Sequence, residues 1–300
     1  MHEAGVAVAE RQTGRAVERP GVTSIRRPSL GGRIVASKHA LAGGLVSVGL
    51  VICALFGPWL SPHDPINAQT ASTLVSPGLE YWLGTDELGR DMVARLLYGA
   101  RISLTVSALS VGLAAVAGVA FGLFAGYFGG RTDTLLMRLM DGLLAFPGLV
   151  LALSMVAFLG QSLTNIVVAI GTVATPTFAR LVRGQVLVLR NQEFVQGAAV
   201  CGAGHGRIML RHILPNVASL IVVQASLSSA FAILSEASLA FLGVGLPPPN
   251  ASWGTMLRSG YQFVGVAPWL SIVPGAAIFL AVLGFNLLGD GIRDVLDPTG

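Results

Sequence analysis

The sequence predicts an all-α, polytopic membrane protein with six transmembrane helices. Three observations carry that prediction. Charged residues make up only 11% of the 300-residue chain and hydrophobic residues 53%, whereas an ordinary soluble domain is about 25% charged. Uncharged windows run over residues 40–60, 102–130, 142–179 and 259–289, each matching or exceeding the roughly 20 apolar residues that cross a hydrocarbon core as helix. Helices satisfy their own backbone donors and acceptors in lipid, which open strands do not.

Residues 1–38 are polar, rich in Arg, Gly and Pro and without periodicity, so a disordered cytoplasmic tail is expected there. Ile25-Arg26-Arg27-Pro28 has the look of a twin-arginine export signal, but no small-x-small cleavage site follows it and further spans do. It reads as a basic flank that holds the orientation of the first span, 40–60.

Residues 39–100 hold that span and an outer segment. Thr85 is a candidate N-cap with Asp86 and Glu87 in the first turn, and Leu88, Met92 and Leu96 share one face, predicting a short surface helix. Asp91 and Arg95, one turn apart, are spaced to pair.

Residues 101–290 hold five more spans, near 102–128, 135–159, 164–182, 217–242 and 268–289. The 142–179 window is too long for one crossing and is broken by Gly160-Gln-Ser-Leu-Thr-Asn165, which divides it in two. Glycines recur in the spans, as in Gly112, Gly118 and Gly122, and small residues let helices approach closely where lipid supplies no hydrophobic drive. Residues 291–300 are expected to form a cytoplasmic C-terminal tail.

Basic residues assign orientation. Fifteen of the nineteen Lys and Arg residues fall on one side of this layout, leaving Arg90, Arg95, Arg101 and Arg258 opposite. Both termini are therefore expected in the cytoplasm, and the net charge of +4 reflects topology rather than nucleic-acid binding. Cys53 and Cys201 should lie at different levels, without a disulfide.

Several chemistries lack their residues. The only lysine, Lys38, follows Ser37, so the glycine–lysine pair of a phosphate-binding loop is missing. No His-Glu-x-x-His occurs among the five scattered histidines. Gly289-Asp290 resembles half of an intramembrane aspartyl-protease motif, but position 287 is Leu. No internal repeat of the kind found in many secondary transporters is visible. Two carboxylates near or within spans remain as candidates for the translocation path or for helix packing: Asp141, with Arg138 as a local ion partner, and Glu236, which either faces a path between helices or caps a neighbouring helix.

The connection before the fifth span, within 184–216, is the most distinctive stretch. Gly202, Gly204 and Gly206 weaken it as an autonomous helix, each by roughly 1 kcal/mol relative to Ala in a helix interior. Arg207 and Arg211 lie four apart, Ile208, Met209 and Leu214 offer apolar contact, and Pro215 is expected to stop the element. Such a segment orders against a groove on another protein.

Its register is also specific. Gln196-Gly197-Ala198, then Gly202 with Ala203, then Leu214-Pro215 match the spacing of the cytoplasmic loop of bacterial ABC importer permeases, with Gln196 where that family carries an acid and Gly197 where it carries alanine. Four more segments resemble the C-type permease subunit of dipeptide and oligopeptide ABC transporters, a family of binding-protein-dependent inner membrane components. They are Leu83-Gly-Thr-Asp-Glu-Leu-Gly-Arg-Asp91, Met140-Asp-Gly-Leu-Leu-Ala-Phe-Pro147, Glu236-Ala-Ser-Leu-Ala-Phe-Leu-Gly243 with Pro247-Pro-Pro, and Phe285-Asn-Leu-Leu-Gly-Asp-Gly-Ile-Arg-Asp-Val-Leu-Asp-Pro298. The five ordered segments run from residue 83 to residue 298, and the resemblance is taken to cover the chain from about residue 40 to its end.

The resemblance implies a type I ABC importer permease fold in a bacterial cytoplasmic membrane and a role in peptide uptake. It implies a second permease, two ATP-binding subunits that hold ATP and magnesium, and an external solute-binding protein. It also implies no cofactor or catalytic residue in this chain, and an ATPase-docking loop at Gln196, Gly197, Ala198, Gly202, Ala203, Arg207, Arg211 and Pro215. A permease for nickel or another small solute, and an ATP-independent secondary transporter, remain as alternatives at this point.

Overall fold

A computed structural model describes residues 38–61, 63–68 and 72–296. Apart from Lys38, the expected N-terminal tail lies outside them, as do the last four residues. Among the described residues the chain forms nine helices and no strand: α1 (Lys38–Leu60), α2 (Met92–Phe128), α3 (Gly130–Leu144), α4 (Gly148–Leu159), α5 (Leu163–Leu189), α6 (Glu193–Val200), α7 (His205–Val244), α8 (Trp253–Tyr261) and α9 (Trp269–Leu296). Helices α1, α2, α5, α7 and α9 are each long and apolar enough to cross a membrane, and α3 and α4 meet the same test only when taken together as a bent pair.

Four spans, α2, α5, α7 and α9, run well past their expected limits, and α9 takes in residues 291–296 of the expected C-terminal tail. Helix α2 has 37 residues because Asp91 caps it, its carboxylate accepting from the Val93 amide at 3.0 Å. Arg95 and Arg101 interrupt the apolar pattern without interrupting the helix. Helix α5 continues beyond 182 to Leu189, carrying Arg180 and Arg183 on its last turns. At its start, Ser162 caps by accepting from the Asn165 amide at 3.2 Å, so the expected break at 160–165 is present.

The third span is not one straight crossing. Helices α3 and α4 meet at 86°, because Pro147 supplies no amide and disfavours helical geometry at the residue before it. The expected continuous span over 135–159 is corrected to two short helices.

The surface helix expected from Thr85 is also absent. Thr85 instead ties two segments together: its hydroxyl accepts from the Val75 amide at 2.8 Å and donates to the Ser72 carbonyl. Asp86 accepts from the amides of Leu88 and Arg90, each at 2.9 Å, folding 84–91 into a turn. Asp91 contacts His63 Nδ1 at 3.0 Å rather than Arg95, which approaches Asp86 at 3.2 Å. Long-range acceptors outcompete the local helix here.

The tightest seam joins α2 to α5. Gly118, Gly122 and Gly126 recur every fourth residue on one face of α2. A Cβ on Gly122 would lie 2.6 Å from the Ala179 carbonyl, and one on Gly126 would lie 2.7 Å from Val186 Cβ. Small residues at this spacing let the backbones touch and gain dispersion contacts over their length. Helix α9 packs on α1 and α7 in the same manner, with Gly291 against the backbone of Ala40. Trp253, 1% exposed, anchors α8 by donating its indole N–H to the Leu96 carbonyl at 3.0 Å. The cysteines are free, Cys53 in α1 and Cys201 at the opposite extreme of the sequence layout, beside α6.

Candidate functional site

Helices α5, α6 and α7 build a knuckle at one end of the bundle. After α5, Gln192 starts α6, with Glu193 in its first turn. Helix α6 ends in a paired cap: the Gly202 amide donates to the Ala199 carbonyl and the Ala203 amide to the Ala198 carbonyl, both at 3.0 Å. This arrangement needs a left-handed residue, and Gly202 supplies φ +81° without steric cost. Gly202 and Gly204 are therefore not in a helix interior, as the sequence reading supposed. Gly202 closes α6, and Gly204 is the extended residue that opens α7.

Val195 and Ile208, 3% and 1% exposed, enter a cluster with Leu123, Val182, Val186, Ile213 and Val217. These residues fasten the knuckle to α2, α5 and α7. Two expectations change as a result. Ile208 and Met209 are buried within this chain and are not available to a partner. Pro215 does not stop the segment, because it sits in the first turn of the α-helical part of α7, where a missing amide is harmless. From His205 the helix runs through a π-type turn at Ile208–Ile213, and a second at Ala240–Val244 is kinked at Gly243, whose φ is +94°.

The outward face of the knuckle carries Phe194, Gln196, Gly197, Val200, Gly202, Arg207, Leu210 and Arg211, all exposed. Ala198 and Ala203 are partly buried beneath it. The Gln196 amide donates back to the Asn191 carbonyl at 3.2 Å. Arg207 and Arg211 form no ion pair among the described residues. His205 is a packing residue: its Nδ1 lies 2.9 Å from the Tyr127 hydroxyl, and its ring is edge-on to Tyr127 and Phe128. Exposed apolar side chains beside unpaired guanidinium groups form a surface fit for an acidic partner with an apolar cleft.

The knuckle is linked to the rest of the bundle by ion pairs that the sequence reading missed. Arg180 Nη2 donates to Asp141 Oδ1 at 2.6 Å, so Asp141 pairs with α5 rather than with Arg138. Arg183 donates from Nη2 to Asp133 Oδ2 at 2.7 Å and from Nε to the other oxygen. Arg190 Nη1 donates to the Gly126 carbonyl at 3.0 Å, near the end of α2. The complementary charges at one level of α3 and α5 were the available signal.

Glu236 is 2% exposed and accepts from the Ser103 hydroxyl at 2.9 Å. Ser103 also accepts from the Trp253 amide at 3.4 Å. The carboxylate thereby joins α7, α2 and the start of α8, a geometry that favours helix packing over an open path. Among the described residues, no group of three or more His, Cys, Asp or Glu side chains is placed to hold a metal ion.

Comparison with known proteins adds relatives to this geometry. A family described as binding-protein-dependent transport system inner membrane component matches residues 118–299, and one described as the N-terminal TM domain of oligopeptide transport permease C matches residues 32–77. The dipeptide transport system permease protein DppC of Alkalihalophilus pseudofirmus is 44% identical over 87% of this chain and 86% of its own. The di/tripeptide transport system permease protein DppC of Pseudomonas aeruginosa is 44% identical over 87% of this chain and 88% of its own. The glutathione transport system permease protein GsiD of Escherichia coli is 45% identical, with 86% of each chain covered.

Proposed function

This chain belongs to the inner membrane components of binding-protein-dependent transport systems, and from that membership we propose that it is the C-type permease of an ATP-driven importer of di- and oligopeptides. With a second permease it encloses the membrane path. Two ATP-binding subunits hold ATP and magnesium and dock on the α6–α7 knuckle. An external binding protein delivers the peptide at the opposite end, where α8 lies. Both termini face the cytoplasm, in keeping with the distribution of Lys and Arg.

The observation that carries this reading is the knuckle itself. Its inner side is locked into the bundle through Val195 and Ile208, while its outer side stays open with Val200 88% exposed. A partner that moves the outer side moves α5 and α7 with it, because packed cores transmit displacement rather than absorb it. The chain contributes packing and geometry, and hydrolysis takes place in the partner subunits.

The test is uptake into vesicles that hold the whole assembly with its binding protein outside. Peptide accumulation that requires both ATP and the binding protein is expected. Uptake driven by a proton gradient in the absence of nucleotide would overturn the reading.

A further inference from the structure

Among the described residues, the four arginines at the α8 end, Arg90, Arg95, Arg101 and Arg258, all line two adjoining cavities. The first, about 460 Å³, contains Arg90, Arg95 and Arg258. The second, about 590 Å³, contains Arg101 and shares Gln161, Leu246, Pro247 and Asn250 with the first.

The local acids do not neutralise this set. Asp86 accepts from Arg90 Nε at 2.7 Å and faces Arg95 Nε at 3.2 Å, and Glu87 lies 3.6 Å from Arg90. Arg95 is 6% exposed and its Nη1 has no hydrogen-bond partner, a costly arrangement for a charged group. Arg101 and Arg258 form no ion pair among the described residues. Arg258 is exposed and lies against the backbone at Gly243. Gly243, at φ +94°, folds so closely over it that a Cβ there would lie 2.7 Å from Nη1, and the Gly243 carbonyl accepts from Gln161 Nε2 at 3.0 Å. The importer reading puts this end on the outer side, where basic residues are disfavoured, so four of them around two adjoining hollows call for a ligand.

We propose that these joined cavities are a carboxylate-binding site. The planar guanidinium fork matches a carboxylate in two-point geometry. Carboxylate is the anion that the importer reading places at this end, either as the C-terminus of the delivered peptide or as an acidic side chain of the docked binding protein. The choice of carboxylate rests on that reading, while the excess of cation does not.

The test uses the complete transporter in vesicles, comparing wild type with Arg258→Gln, Arg101→Gln and the double variant, each verified to assemble with its partners. A free-acid dipeptide and its C-terminal amide are taken up in parallel, and docking of peptide-free binding protein is measured separately. A rise of about tenfold in the half-saturating concentration for the free acid alone supports the site with the peptide as source. A similar rise in the docking constant without peptide supports it with the binding protein as source. If neither constant moves in any variant, the cavity is not a carboxylate site. Wild-type vesicles that take up neither peptide refute the peptide reading instead, and the docking arm still decides the cavity.

Discussion

Arg183 and Asp133 join α5 to α3 through two parallel contacts, Nη2 to Oδ2 at 2.7 Å and Nε to Oδ1, just before α5 runs into the knuckle. Two-point guanidinium–carboxylate pairs fix orientation as well as distance. Helix α3 is therefore carried by the same rod that bears α6, and its far end meets the bend at Pro147. In the proposed function, motion of the knuckle is passed to the bent span through this clasp. Asp133→Asn is expected to lower peptide moved per ATP hydrolysed while costing on the order of 1 kcal/mol in stability, because the pair is partly solvated. The double exchange Asp133→Arg with Arg183→Asp should recover part of the loss. Parallel uptake and hydrolysis assays check this, and an unchanged ratio in the single variant would remove the clasp from the mechanism.

At Gly202 the expected effects of two substitutions separate conformation from contact. No atom lies within 4 Å of a Cβ built there, so Gly202→Ala meets only the left-handed backbone penalty, about 1–2 kcal/mol. It should lower the melting temperature modestly and leave the ATPase subunits attached. Gly202→Arg adds bulk to the exposed face and should release them. Co-purification distinguishes the two, and an intact complex from the arginine variant would count against docking at this face.

Gly122→Leu is expected to be among the most damaging substitutions in the bundle, since its first carbon already meets the Ala179 carbonyl at 2.6 Å. Overpacking of this kind costs typically 1–3 kcal/mol or more. Gly112→Ala on the same helix, with nothing within 4 Å, should be neutral or slightly stabilising. Thermal unfolding of the detergent-solubilised protein checks the contrast, and equal effects would contradict the assigned α2–α5 seam.

Much of this arrangement was legible in the residues, and the failures have physical causes. The spans and the knuckle follow from hydrophobic windows and from glycine and proline register, which are local signals. Asp141 was assigned to Arg138 because both lie on one helix, whereas its partner Arg180 is reached only through the packing of α3 on α5. Thr85 and Asp91 are both favoured caps by residue type, Asp the more so. The choice of Asp91 depends on Ser72 and Val75 claiming the Thr85 hydroxyl. The bend at Pro147 did carry a local signal that the reading of one span over 135–159 passed over: α3 holds Arg131, Asp133, Arg138 and Asp141, whereas α4 holds no charge.

Glu236 separates a packing role from a path role. Glu236→Gln keeps an acceptor for the Ser103 hydroxyl and should preserve assembly and uptake. Glu236→Leu removes that acceptor and strands a buried hydroxyl, costing about 1–3 kcal/mol. Melting temperature and uptake, measured together, decide between the roles. Loss of uptake in the glutamine variant at an unchanged melting temperature would place the carboxylate on the path.

The central claim is that force enters this permease through the α6–α7 knuckle from subunits that bind ATP. Its most direct measurement is peptide accumulation in vesicles holding the whole assembly, with wild-type or Gly202→Arg chain, with and without ATP. The account predicts concentrative uptake only for wild type with ATP. Uphill uptake by this chain alone, without nucleotide, would contradict it.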